Sequence, residues 1–297
     1  MKFYLSVFIL GLSLLFKFSH EANASTKFKM QRCSLKKSES LTIGCSRQCN
    51  KFEKWALKRY ARKLGYKINI INMYAHNSTP DLSAVDGILI PGGVDIDPKY
   101  YINEVPKDLQ EKIKSLDHLV GYSEDGKVRD PFEYNLLKEY FSANDKKTKQ
   151  TPILGICRGM QMLTVSQGIP LYIDIKTELG FSNRRYTLDK VRINKNESLI
   201  RTLQRRKSFR AVENHHQGLR LDYYLQNKKK WPQLEVTATS NRNRIAEVLE
   251  FKNRPVLGVQ FHPEYSLFGR TRRTTFSWLL NRACHSKKIT KVSKGNL

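Results

Sequence analysis

The stretch ILGICRGMQML, residues 153–163, constrains the fold more than any other part of the chain. An apolar run, a cysteine between two glycines and a helix-like run follow one another without a spacer. A parallel sheet presents a residue at its carboxyl edge in this order. Gly155-Ile156-Cys157-Arg158-Gly159 has the spacing of a nucleophile elbow, in which a strained turn lifts the side chain above the sheet and the glycines relieve crowding. Cys157 then sits at a helix N-terminus, where the dipole and the unpaired N–H groups favour a thiolate. The same spacing also suits a plain βα connection around a small buried cysteine, so other residues must decide.

The rest of the chain alternates in a compatible way. SLTIGCS (40–46) reads as a strand, NKFEKWALKRYARKLG (50–65) as an amphipathic helix closed by Gly65, and YKINIINMY (66–74) as a second strand. AVDGILIPGG (84–93) is a buried strand running into a tight loop. The polar segment 102–128 reads as a surface excursion. In RDPFEYNLLKEYF, Asp130 as cap, Pro131 at the first helical position and Glu133 three residues past the cap predict a helix start. RAVENHHQGLRL, EVTATS, IAEVLEF and PVLGVQFHPEY supply further strands, and RRTTFSWLLNRAC a last helix. The alternation predicts an α/β fold, a mostly parallel sheet with helices on both faces. A chain of 297 residues suffices for one such domain of about 250 residues plus extensions.

Those extensions are a leader and a tail. Residues 1–24 combine a basic start at Lys2, an apolar run from Phe3 to Phe16 and small residues Ala22 and Ala24, the pattern of a secretory signal cleaved after about Ala24. The run is short for a membrane span, which takes ~20 apolar residues; an uncleaved anchor is the alternative. The expected organisation is leader 1–24, domain 25–285 and a mobile basic tail 286–297 without an apolar face. Export means a periplasmic or secreted protein. In such a compartment the five cysteines leave at least one free thiol, and Cys33 has Cys45 or Cys49 as partners within reach in sequence.

Two further motifs complete a reactive set. In GVQFHPEY, Pro263 holds His262 extended, so His262 and Glu264 project to one side and the carboxylate can orient the imidazole. This is the nucleophile, base and orienter logic of a triad. The glycines of ILIPGG offer backbone N–H groups that, with the N–H of Arg158, form an oxyanion hole. Adjacent His215 and His216 have no cysteine or carboxylate at metal spacing in the sequence, which argues against zinc.

The order PGG, GICRG, QFHPE resembles the class I glutamine amidotransferase superfamily. Within it GILIPGGVDIDPKYY, RDPFE, PILGICRGMQ and GVQFHPEY resemble the γ-glutamyl hydrolase branch, through Asp95, Pro98 and Tyr101 after the glycine pair, over residues 40–285. The resemblance implies a flavodoxin-like α/β fold and hydrolysis of a small γ-glutamyl substrate without metal or organic cofactor. Cys157 would be the nucleophile, His262 the base and Glu264 the orienter, with Gly93 and Arg158 at the oxyanion. Gln161, His216 and Gln217 would line the substrate pocket, and Glu247 matches a strand position. A homodimer is compatible with it. The sequence departs from the pattern at Thr164 and the single Gly168, and at Val212 and Glu213, where Asn-Ser usually precedes the histidines; these changes concern the pocket and leave the triad intact.

Two other function classes compete. A glutaminase module delivering ammonia to a synthetase needs a partner, and the leader counts against it. A non-catalytic basic binding protein is suggested by the net charge of +26, from 53 Lys+Arg against 27 Asp+Glu. The basic residues are dispersed as KKK, RRK, NRNR and RTRR without aromatic interleaving, which argues against specific nucleic-acid binding. Among exported γ-glutamyl substrates, wall fragments with γ-linked D-glutamate are one class.

Overall fold

The computed structural model describes residues 33–74, 81–181, 184–266 and 269–294. The leader lies outside them. Among the described residues eleven strands form in chain order: β1 Ser40–Cys45, β2 Lys67–Asn72, β3 Gly87–Ile90, β4 Ile153–Ile156, β5 Leu171–Tyr172, β6 Arg184–Ile193, β7 Ser208–His215, β8 Gly218–Leu219, β9 Leu234–Ser240, β10 Ile245–Phe251 and β11 Val256–Val259. Nine of them make one sheet in the order β2-β1-β3-β4-β11-β10-β9-β6-β7, and β5 pairs β8 separately. The strands from β2 to β11 in this order are parallel, whereas β10, β9, β6 and β7 extend the sheet by antiparallel pairing. The expected parallel α/β sheet is therefore present, with an antiparallel wing.

The helices are α1 Lys51–Leu64, α2 Lys107–Ser115, α3 Glu124–Ser142, α4 Lys146–Gln150, α5 Arg158–Val165, α6 Ile175–Leu179, α7 Leu199–Gln204, α8 Leu221–Gln226 and α9 Arg270–Lys294. They cover both faces of the sheet. Ile90, Ile153, Leu163, Leu136 and Tyr140 share one core, and Leu41, Ile43, Leu57, Phe276, Trp278 and Leu280 share the other. The central strands β3 and β4 are buried at every position, as double coverage requires. Among the described residues no helix is long and apolar enough to cross a membrane.

Three expectations need correction. The segment 102–128 is not a mere excursion: it holds α2 and the first residues of α3, and Val105 and Ile113 belong to the core. The helix expected to start at Asp130 starts at Glu124, because Ser123 caps it by accepting from the Gly126 N–H at 3.0 Å; Pro131 lies inside. The cap-like Asp130 and Glu133 are buried and bind arginines instead. The tail expected to be mobile is mostly helix, since α9 continues to Lys294 and Ser286 is buried.

The fold decides the cysteine pairing that the sequence left open. Cys33 bonds Cys284, with Cα atoms 6.0 Å apart, and Cys45 bonds Cys49; Cys157 is the free cysteine among the described residues. Sequence proximity favoured Cys45 or Cys49 for Cys33, but α9 returns beside the segment that precedes β1. There the Cys33 N–H donates to Asn281 at 3.0 Å and Tyr66 donates to the Cys33 carbonyl at 2.7 Å. The two staples close loops of very different length, 251 against 4 residues of separation. Chain-entropy arithmetic then predicts that Cys33→Ser/Cys284→Ser lowers unfolding free energy by about 5 kcal/mol and Cys45→Ser/Cys49→Ser by about 2 kcal/mol. Denaturant melts of the two double variants measure the difference.

Candidate active site

The three motifs meet because β3, β4 and β11 are adjacent and parallel, in register Ile90↔Gly155 and Val259↔Ile156. Their carboxyl ends release Pro91-Gly92-Gly93, Cys157 and His262-Pro263-Glu264 at one sheet edge. Cys157 stands between β4 and α5 with φ 50° and ψ −104°, a sparsely populated conformation for a side-chain-bearing residue. The flanking glycines permit it. A Cβ on Gly159 would lie 2.1 Å from the Ile90 carbonyl oxygen, and one on Gly155 would lie 2.7 Å from the Gly159 backbone. The elbow expected from the sequence is thus built, and Cys157 is 4% exposed.

His262 and Glu264 are joined by a 2.7 Å contact from Nδ1 to Oε1. Both are buried. Burial acts against a charged ring, but the Cys157 sulfur and the Glu264 carboxylate outweigh it and push His262 up to about 12. The ring therefore carries its proton at neutral pH, poised beside the sulfur. Gln260, two residues earlier on the same side of the chain, donates to the Cys157 sulfur at 3.6 Å.

The glycine pair is held by a buried ion cluster. Arg129 donates to the Gly92 carbonyl at 2.9 Å and to the Pro91 carbonyl at 2.6 Å, while its Nε meets Glu133 at 2.7 Å. In a trans peptide the C=O and N–H point opposite ways, so fixing the Gly92 carbonyl on Arg129 turns the Gly93 N–H to the other side. A Cβ at position 93 would lie 2.2 Å from Arg129 Nη1, so a larger residue there displaces this guanidinium. Arg158, expected to contribute its N–H at the first turn of α5, also sends a fully buried guanidinium across Asp130 and Glu133. Its carboxylate partners outweigh burial and raise its pKa. Arg129 and Arg158 likewise hold the Glu133 carboxyl below its ordinary value against its burial.

A cavity of about 250 Å³ opens over Cys157, walled by Gly92, Gly93, His262 and Glu264. Asn50, Asn214 and Tyr265 complete its walls, and sequence reasoning missed all three. For Asn50 a signal existed: it caps α1 in a capping box with Glu53, which the N-x-x-E spacing announces. Gln161, His216 and Gln217, expected at the substrate, do not line this cavity. Gln161 and Gln217 are buried against each other, with Gln161 Nε2 donating to the Gln217 carbonyl at 2.9 Å. His216 is clamped between Asp95 at 2.9 Å and Asp174 at 3.3 Å, which raises its pKa, the Asp95 hydrogen bond foremost.

Glu213 stands two residues before His215, and the fold brings Glu247 of β10 beside them. Glu213, His215 and Glu247 bring one potential ligand atom each within 4.8 Å. Within the cluster His215 bonds Glu213 at 3.1 Å and the Gln217 carbonyl at 2.8 Å, and one oxygen of Glu247 accepts from Ser240 at 2.6 Å. Burial, with Glu213 beside it, raises the Glu247 carboxyl well above its ordinary value, which disfavours the charged form a cation would need.

Comparison with known proteins agrees with this geometry. A family model described as peptidase C26 matches residues 67–264. Protein NtpR of Enterococcus hirae is 28% identical over 62% of this chain and 68% of its own length. A glutamine amidotransferase-like protein of Rickettsia prowazekii is 31% identical over 48% of the chain, and the match spans half of that protein. Among solved structures, the glutaminase domain of Trypanosoma brucei CTPS superposes with TM-score 0.59 at 13% identity, over 83% of this chain and 94% of that one. A Thermotoga maritima glutamine amidotransferase gives TM-score 0.50 at 14% identity, over 82% and 96%. A glutamine-hydrolysing GMP synthase component of Methanocaldococcus jannaschii is 32% identical over 38% of the chain and half of its own length. The fold expected from the sequence, α/β of the class I glutamine amidotransferase type, is present.

Behind Glu264 lies a second buried carboxyl, Glu53, which burial and the neighbouring Glu264 raise to about 7. Below about pH 4.5 it is protonated in both the folded and the unfolded chain. Between 4.5 and 7 the unfolded chain ionises while the folded one resists, so stability falls as pH rises and levels off above 7. Glu53→Gln removes this slope. We expect the variant to gain about 3 kcal/mol on wild type between pH 4.5 and pH 8, read from denaturant melts at the two pH values.

Proposed function

The chain belongs to the peptidase C26 family, and on that footing we propose that it hydrolyses γ-glutamyl amide bonds through an acyl-enzyme on Cys157. The observation that carries this reading is the convergence of the strained Cys157, the Glu264-held His262 and the Arg129-turned Gly92–Gly93 peptide around one cavity. Cys157 Sγ attacks the γ-carbonyl, forming the C–S bond and moving the π electrons onto oxygen. The N–H groups of Gly93 and Arg158 receive that oxyanion. As it collapses the C–N bond breaks, and His262 Nε2–H delivers its proton to the leaving amine. Water then attacks the thioester, His262 taking a proton from it; the C–S bond breaks, and glutamate leaves with the Cys157 sulfur as the anion and His262 protonated again. Glu264 keeps the imidazole in the orientation that both proton transfers use. These steps need only the chain's own residues and water.

Two disulfides support the reading of the protein as exported to an oxidising compartment, with residues 1–24 as its leader. A second reading, a glutaminase module, draws on the likeness to a CTPS glutaminase domain and to part of a glutamine-hydrolysing GMP synthase. A panel of γ-L-glutamyl amines, γ-D-glutamyl peptides and free glutamine separates them. We expect amine release from γ-glutamyl compounds by the protein alone, reduced by at least about 10³-fold in Cys157→Ala. Turnover of glutamine alone, and only with an added synthetase, would favour the module. Undiminished hydrolysis in Cys157→Ala would overturn the acyl-enzyme.

A further inference from the structure

The leaving amine must lie on the His262 side of the scissile bond, because His262 is the group that protonates it. That side of the cavity continues into an exposed aromatic ridge. Tyr265 lines the cavity with its ring 5.3 Å from the His262 ring. Phe52 meets Tyr265 edge to face at 5.1 Å, and Trp55 follows one turn later on α1. Phe52 is 43% exposed and Trp55 44%, so neither is placed there to fill the core. Large aromatic side chains left partly exposed beside a reactive cavity offer binding surface.

The ridge is also cationic. The Arg272 guanidinium stands 4.7 Å and that of Arg59 5.1 Å from the Trp55 ring centre, and Lys51 stands 5.2 Å from that of Phe52. Arg272 is tied to the active site, donating to the Glu264 carbonyl at 3.3 Å. The acidic groups of this corner, Glu53 and Glu264, are buried beneath it and do not neutralise the surface. Planar rings combined with guanidinium groups fit a ligand that is itself planar and negatively charged.

We propose that Tyr265, Phe52 and Trp55, with Arg59 and Arg272, form the leaving-group subsite, and that the preferred substrates are γ-glutamyl peptides whose amine half is an aromatic amino acid bearing a free carboxylate. This rests on the γ-glutamyl reading above and narrows it. The ring of the departing amino acid stacks along Tyr265 and Phe52, and its carboxylate meets the guanidinium groups beyond. Asn50 closes the inner end of the subsite.

The test compares γ-glutamyl-tyrosine with γ-glutamyl-alanine. In wild type we expect kcat/KM to favour the tyrosine compound about tenfold or more, mostly through KM. In Phe52→Ala and Trp55→Ala, both surface changes, that ratio falls toward one; in Leu225→Ala, an exposed apolar residue of α8, it does not. Calorimetric binding of both peptides to Cys157→Ala gives a readout independent of chemistry, with about tenfold tighter binding of the tyrosine compound expected. Equal kcat/KM for the two in wild type would overturn the subsite while leaving γ-glutamyl hydrolysis standing. Turnover of neither overturns the hydrolase reading, and equal affinity in Cys157→Ala then overturns the subsite as well.

Discussion

Glu133 and the arginines it grips hold the rest of the active site in place. One carboxylate of α3, without solvent exposure, accepts from Ser46 at 2.6 Å and from Arg129 at 2.7 Å and meets Arg158 with its other oxygen. Asp130 completes the cluster, so two cations face two anions in the interior. Breaking such a pair by removing one partner typically costs about 3–5 kcal/mol, because a charge is stranded in low dielectric. Through these contacts the cluster fixes four pieces of chain: the β1–α1 connection at Ser46, the glycine loop through Arg129, the elbow helix through Arg158, and α3 itself. The reactive edge is therefore not a set of loops that happen to meet. Its backbone groups are oriented by buried charges whose separation from one another would be expensive.

The sheet explains why the cluster has something to organise. With β4 between β3 and β11, all parallel, the fold delivers the glycine pair, the cysteine and the histidine to one edge. The antiparallel wing folds back on that edge, since the His262 N–H donates to the Val212 carbonyl of β7 at 2.9 Å and Asn214 of the same strand reaches the cavity. On the other side the Cys45–Cys49 disulfide holds the short connection that carries Ser46 and leads to Asn50. Catalytic backbone is thus clamped from both flanks, one by hydrogen bonding and one covalently.

What the sequence revealed was whatever is written locally in backbone geometry. Gly155 and Gly159 around Cys157 announce a close-packed turn because only glycine fits there, and Pro263 between His262 and Glu264 fixes their relation in three residues. Strands β4 and β11 and helix α1 were legible from apolar runs and caps for the same reason. Interactions across the fold left no such trace. Asp130 and Glu133 carry a plausible cap pattern, yet both bind Arg158, 28 and 25 residues away, and Glu133 binds Arg129 as well, so the local signal misplaced the start of α3. Cys33 finds Cys284 through the return of α9, a pairing that sequence distance makes improbable. Asn214 and Tyr265 reach the cavity only because β7 and β11 converge, and of the residues correct in type for a substrate pocket, Gln161 donates to the Gln217 backbone carbonyl and the Gln217 side-chain oxygen accepts from the Ile96 N–H.

The central claim is that a γ-glutamyl group is carried on Cys157. The most direct measurement is the mass of the full chain after acid quenching during turnover of a γ-glutamyl peptide, followed by peptide mapping. The account predicts a thioester adduct of one glutamyl residue on the peptide containing Cys157, absent from Cys157→Ala. Steady hydrolysis with no adduct on that peptide, or an adduct that persists in Cys157→Ala, would contradict it.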